Sequence, residues 1–272
     1  MKNAIGGLRK KGRMQLAKLL KAMPEIITVA LAVKALQSDA KKTAIILSSL
    51  AKRGWLFRLR RGMYVKVPLQ STTPEVFPED PRLIAKEIFQ PCYIAGWSAA
   101  MHWGLTEQIF NTIYVATTKK VHHRELNIKG IKFIIKTISA RIFFGTKPIW
   151  VGRTKIEISD ATKTVVDCLN DPAMAGGIRM ANDFLHNYFN SKDKSINLMI
   201  EYAGKMHSST VYKRLGYLLE LGFPEEKELI AICKEKIKKG YSQLDPTSTG
   251  KKLITRWGLF VPANFIVRQL ND

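Results

Sequence analysis

Three clusters of cationic side chains set the chemistry available to this sequence. Lys41 and Lys42 are followed by Thr43, Arg58 alternates with Arg60 and its neighbour Arg61, and Lys10, Lys11 and Arg13 crowd the start of the chain. Ammonium and guanidinium groups pair with phosphate oxygens, and a Lys or Thr at a helix start can reach base edges. A Lys-Lys pair alone is an ordinary solvated face, so its setting decides the reading. Residues 1–70 contain 16 Lys and Arg against two acids, Glu25 and Asp39, a local charge of +14. The other 202 residues hold 28 bases and 20 acids, or +8, which completes the chain's +22. With a sequence pI near 10.0, the field favours polyanions, nucleic acid first and an acidic membrane surface second.

Other reactive groups are dispersed. Cys92, Cys168 and Cys233 lack metal-ligand spacing, and their odd number argues against a disulfide framework. That usage suits a reducing cytoplasm. His122 and His123 fall in a polar loop without nearby ligands, and His102 lies between Met101 and Trp103 as a core or boundary histidine. Glu157 and Asp160 are close in sequence but fall on different predicted elements. The sequence has no glycine-rich phosphate loop, no HExxH and no GxSxG. The reading is therefore a non-enzymatic protein with no cofactor and no metal. The longest stretch without Lys, Arg, Asp or Glu, Ile88 to Thr106, contains Gln90, Pro91, Ser98 and His102 and makes a poor membrane span.

The elements that must position the cations follow from periodicity. Arg13–Met23 is an amphipathic run stopped by Pro24, and Lys10, Lys11 and Arg13 form a basic arm at its start. Ile26–Leu36 reads as a second, well-buried helix. Gln37-Ser38-Asp39 is a turn that can cap a third helix over Ala40–Lys52, ended at Gly54. Lys41, Lys42 and Thr43 occupy its first turn. Trp55 to Val65 alternates around Arg61-Gly62 as a hairpin, which exposes Arg58, Arg60 and Arg61. Three helices and a basic hairpin describe a winged helix-turn-helix over residues 1–67, in which the third helix enters the major groove. Pro68, Pro74, Pro78 and Pro81 mark a linker over 68–80.

Residues 81–272 read as a mixed α/β unit ending in a helical bundle, so the fold class is α+β. A small sheet is expected over about 110–158, with strands at Ile113–Thr117 and Ile131–Ile138 and a hairpin turning at Gly152-Arg153. Helices fill about 160–240. Ser159 or Asp160 caps the first, which runs through Leu169, and the others span Ile178–Phe189, Ile196–Lys205, Thr210–Leu221 and Glu225–Lys239. Gly216 inside a helix costs about 1 kcal/mol relative to Ala, which implies close packing at that point. Asp167 is expected to orient a local hydrogen bond.

Five strings carry a resemblance: Trp97 to Gln108, Lys163 to Leu169, Gly176-Gly177, Lys213 to Glu220, and Leu244-Asp245-Pro246. In that order behind a winged helix they resemble the AbiEi antitoxins of abortive-infection systems, over roughly Arg13 to Asn264. The resemblance implies a bacterial cytoplasmic antitoxin and transcriptional autorepressor. Its winged helix would bind inverted repeats at its own promoter, and its C-terminal domain would counteract a nucleotidyltransferase-like toxin. One departure is Lys163, where the family pattern implies Arg. The alternative is a stand-alone repressor whose second domain binds a ligand or another protein. A nuclease targeted by the winged helix is a third reading.

Overall fold

A computed structural model describes residues 7–22, 24–67, 80–248, 252–262 and 265. It opens with α1 (Lys10–Ala22), β1 (Ile26–Thr28), α2 (Val29–Leu36), α3 (Ala40–Lys52), β2 (Leu56–Arg60) and β3 (Met63–Lys66). The strands form an antiparallel sheet in the order β1-β3-β2. The expected helix over Ile26–Leu36 is corrected here, because its first three residues pair with β3. Ile26, Ile27 and Thr28 are β-branched and fit a pleated surface. Thr28 ends the strand by accepting a hydrogen bond from the Leu31 amide, so it caps α2. Helix α1 also begins earlier than expected, at Lys10, which makes the basic arm helical. The linker assigned to 68–80 lies outside the described residues except for Asp80.

Next come α4 (Arg82–Phe89), β4 (Cys92–Ile94), α5 (Gly96–His102), β5 (Thr112–Thr117), β6 (Glu125–Ile128), β7 (Ile131–Thr137), β8 (Thr146–Val151) and β9 (Thr154–Ser159). They build a six-stranded mixed sheet in the order β6-β7-β5-β4-β9-β8. Hairpins β6–β7 and β8–β9 close its two edges, while β5–β7 and β4–β9 pair in parallel. The sheet thus starts earlier than expected, at Cys92. Five helices follow: α6 (Ala161–Asn170), α7 (Ile178–Phe189), α8 (Ile196–Lys205), α9 (Ser209–Gly222) and α10 (Lys227–Lys236). A small sheet of β10 (Ser242–Gln243), β11 (Lys252–Ile254) and β12 (Leu259–Val261) completes the described chain.

Strand alternation assigns each face of these sheets to a different core. Ile27, Leu56 and Tyr64 face α1–α3, joining Leu19, Leu47 and Leu50. Their neighbours Ile26, Leu59, Met63 and Val65 face the other way. There they pack with Leu83, Ile84 and Ile88 of α4 and with Ile94, Val115, Phe133 and Ile158 of the large sheet. On that sheet's opposite face, Tyr93, Tyr114 and Ala116 meet the helices from α5 onward. The N-terminal sheet is buried on both sides, and among the described residues its second face is covered by residues beyond 80.

Candidate nucleic-acid interface

The N-terminus of α3 is fixed by Asp39. Its carboxylate accepts the Lys42 amide at 2.8 Å and pairs with the Lys42 ammonium at 3.1 Å. These two contacts hold the Asp39 carboxyl below its usual range, the backbone hydrogen bond contributing most. Gln37 enters the preceding turn in the left-handed conformation (φ 49°), which gives the sharp reversal between α2 and α3.

Thr43, Leu47 and Leu50 turn into the core, at helical spacing i, i+4 and i+7. Thr43 is fully buried, and its hydroxyl has no hydrogen-bond partner among the described residues. The expectation that Thr43 contacts DNA is therefore corrected. It shares the first turn with Lys41 and Lys42 but points about 100° away from its neighbour, into the protein. Lys41 and Lys42 are exposed. The outward stripe is Lys41, Ile45, Ser48 and Lys52, with Ile45 62% exposed.

The hairpin delivers the second cluster. Arg58 and Arg60 lie on β2 and Arg61 in its turn, all exposed. Gly62 closes the turn at φ +79°, a conformation that disfavours side-chain-bearing residues. Its carbonyl accepts the Val29 amide at 3.2 Å, so the hairpin tip is tied to the start of α2. In the third cluster, Lys10, Lys11 and Arg13 are exposed on the first turns of α1. Lys11 and Lys18 border a surface cleft of about 660 Å³ whose other wall includes Lys42 and Ile45. The structure thus brings Lys11 to the start of α3 and leaves Arg13 outside that cleft.

A second polar constellation, absent from the sequence-based site set, sits at the heart of α6. Lys163 is 0% exposed and Asp167 3%. The Lys163 ammonium donates to one Asp167 oxygen, and the Tyr93 hydroxyl donates to the other at 2.9 Å. Lys163 also donates to the Tyr93 hydroxyl at 3.2 Å and lies 4.7 Å from the Phe144 ring centre. Burial drives the Asp167 pKa upward, and Lys163 opposes it. An Arg at this position would meet a carboxylate whose second oxygen Tyr93 already occupies. Asp160 caps α6 through the Lys163 amide and accepts the Tyr202 hydroxyl at 3.0 Å. Asp167 therefore orients local hydrogen bonds, as its helical position implied. Tyr93 and Tyr202 lie 74 and 42 residues from their carboxylate partners, a pairing that periodicity does not encode.

Arg214 donates to the carbonyls of Leu169, Asn170 and Gln243, clamping the end of α6 to β10. Burial lowers its pKa to about 10. Asp245 accepts the Ile178 amide at 2.9 Å and so caps α7 from afar. These contacts give the strings around Lys163, Arg214 and Asp245 a shared role in joining helices. His122 and His123 are exposed, and no group of three His, Cys, Asp or Glu within reach of one metal ion occurs among the described residues. No helix among the described residues is long and apolar enough to cross a membrane.

No family model and no curated protein matches the sequence. Among solved structures, the RV2827C protein of Mycobacterium tuberculosis is similar in fold, with a TM-score of 0.62 at 16% identity. The match covers 95% of this chain and 94% of that one. The mixed α+β architecture is therefore shared across nearly the whole length of both chains.

Proposed function

We propose that this protein is a sequence-specific DNA-binding regulator and antitoxin. Residues 1–67 act as a winged helix-turn-helix in this reading, with α2–turn–α3 as the helix-turn-helix and β2–β3 as the wing. The observation that carries it is the exposed cationic face of α3, with Lys41 and Lys42 on its first turn, followed in the chain by a hairpin exposing Arg58, Arg60 and Arg61. In a winged helix the recognition helix meets base edges and the wing reaches the backbone or minor groove. The element order α1-β1-α2-α3-β2-β3 and the β1-β3-β2 sheet support the assignment.

The antitoxin role rests on the resemblance to AbiEi proteins. In it, the protein represses its own promoter in the bacterial cytoplasm and counteracts a nucleotidyltransferase-like toxin through its C-terminal domain, without catalysis, cofactor or metal. The sheet and helices beyond residue 80 carry the neutralising function in this reading. Growth rescue tests this role. The gene downstream is expressed alone, and then with the full chain. Toxicity relieved by the full chain is the expected result, and a harmless neighbour or unrelieved toxicity overturns the antitoxin role and leaves a stand-alone repressor.

A further inference from the structure

On α3, one side chain serves neither the core nor the charge pattern. The buried positions Thr43, Leu47 and Leu50 define the inward direction. At 100° per residue, Ile45 projects almost directly opposite, between Lys41 and Lys52. It is 62% exposed, and its flanking outward positions are Lys41, Lys42, Ser48 and Lys52. A β-branched apolar residue there lowers helix propensity relative to Ala and leaves hydrocarbon in water. Ile45 lines the open cleft beside α1 rather than the core, so core packing gives no reason for it, but groove reading does. Among base edges in the major groove, thymine alone presents a methyl group, and apolar side chains recognise it by contact. Lysines on either side can contact phosphates or the acceptor atoms of base edges, but an ammonium group does not recognise a methyl group.

We propose that Ile45 is a specificity-determining residue that reads a thymine 5-methyl group in the major groove. The proposal rests on the reading of α3 as the recognition helix. Ile45 supplies the discrimination at thymine that the surrounding cations cannot. Since it carries no charge, its loss changes base preference and leaves the salt dependence of binding unchanged.

The test uses the full chain and a random duplex pool. Duplexes enriched by the wild-type protein are resynthesised with deoxyuridine replacing each thymidine in turn, which removes one methyl group at a time. Wild-type binding is expected to weaken about fourfold at one thymine per bound helix, the size of burying roughly one methylene-sized group. Ile45→Ala is expected to bind the thymine and uracil duplexes equally, with an unaltered salt slope, and Ile45→Val to retain the discrimination. Circular dichroism of both variants confirms the fold, which an outward position does not support. If the wild type enriches a sequence but no thymine is methyl-sensitive, or Ile45→Ala keeps the sensitivity, the Ile45 assignment is overturned and DNA binding stands. If the wild type enriches nothing, the DNA-binding reading falls with it.

Discussion

Thr43 and the arginines of the hairpin separate structural from contact roles residue by residue. Thr43 buries a hydroxyl without a partner among the described residues, and an unsatisfied buried polar group costs about 1–3 kcal/mol. Thr43→Val keeps the shape and removes the hydroxyl. Its unfolding free energy, from urea titration, should rise by about 1 kcal/mol, with DNA affinity unchanged. A fall in affinity would return Thr43 to the contact surface. In the proposed reading Arg60 and Arg61, both exposed, belong to the opposite class. The double Ala variant should weaken binding on every duplex and reduce the slope of log K against log salt by about 2, close to one counterion per lost phosphate contact. An unchanged slope removes the wing from the interface. The difference between Thr43 and Lys42 was hidden in the sequence, because placing Thr43 on the inward face needs the direction of the core, and Ala44, Ile46 and Leu47 leave that direction ambiguous.

At the scale of elements, legibility followed the range of the forces. Helices α7 and α8 are readable in the sequence because each pairs an apolar stripe with a local start signal, Gly177 before α7 and the Ser195 cap of α8. The hairpin turns at Gly62 and Gly152 were readable for the same reason, since a positive φ is a local demand. Strand β1 reads as helix in the sequence because three β-branched residues become a strand only when β3, 37 residues later, offers its edge. Strand β4 is illegible in the sequence for a similar reason, being three residues long with partners in β5 and β9. Gly216 is the clearest case of a local cost explained by packing. A Cβ there would lie 2.2 Å from the Trp257 ring and 2.9 Å from Cys233. Gly216→Ala gains helix propensity yet should destabilise the protein by about 1–3 kcal/mol through overpacking, measured as a lower thermal midpoint with blue-shifted Trp257 fluorescence lost at lower temperature. A midpoint equal to or above wild type would mean that Trp257 does not press on α9.

Taken as a whole, the molecule is less divisible than its charge distribution suggests. The basic segment and the rest read as separate domains in sequence, but Ile26, Leu59, Met63 and Val65 share a core with α4 and the six-stranded sheet. Lys129, on the β6–β7 turn, also lies 5.4 Å from the Phe57 ring of β2. Denaturation of the full chain should therefore show one transition, with Trp55 in the N-terminal segment and Trp257 in the helical part reporting the same midpoint. A fragment of residues 1–70 should expose the uncovered face of its sheet and self-associate. Two separated transitions, or a monomeric fragment of native stability, would restore independent domains. In the proposed reading, the shared core is the physical route by which a partner on the sheet or helices beyond residue 80 would affect DNA binding. The most direct test of the central claim is fluorescence anisotropy of the full chain with its own upstream DNA, against scrambled duplex of equal length, at several salt concentrations. Tighter binding to upstream DNA is predicted, with Lys41→Ala and Lys42→Ala each losing roughly 1–3 kcal/mol on that duplex and less on the scrambled one. Equal affinity for both duplexes, unaffected by either substitution, would contradict the account.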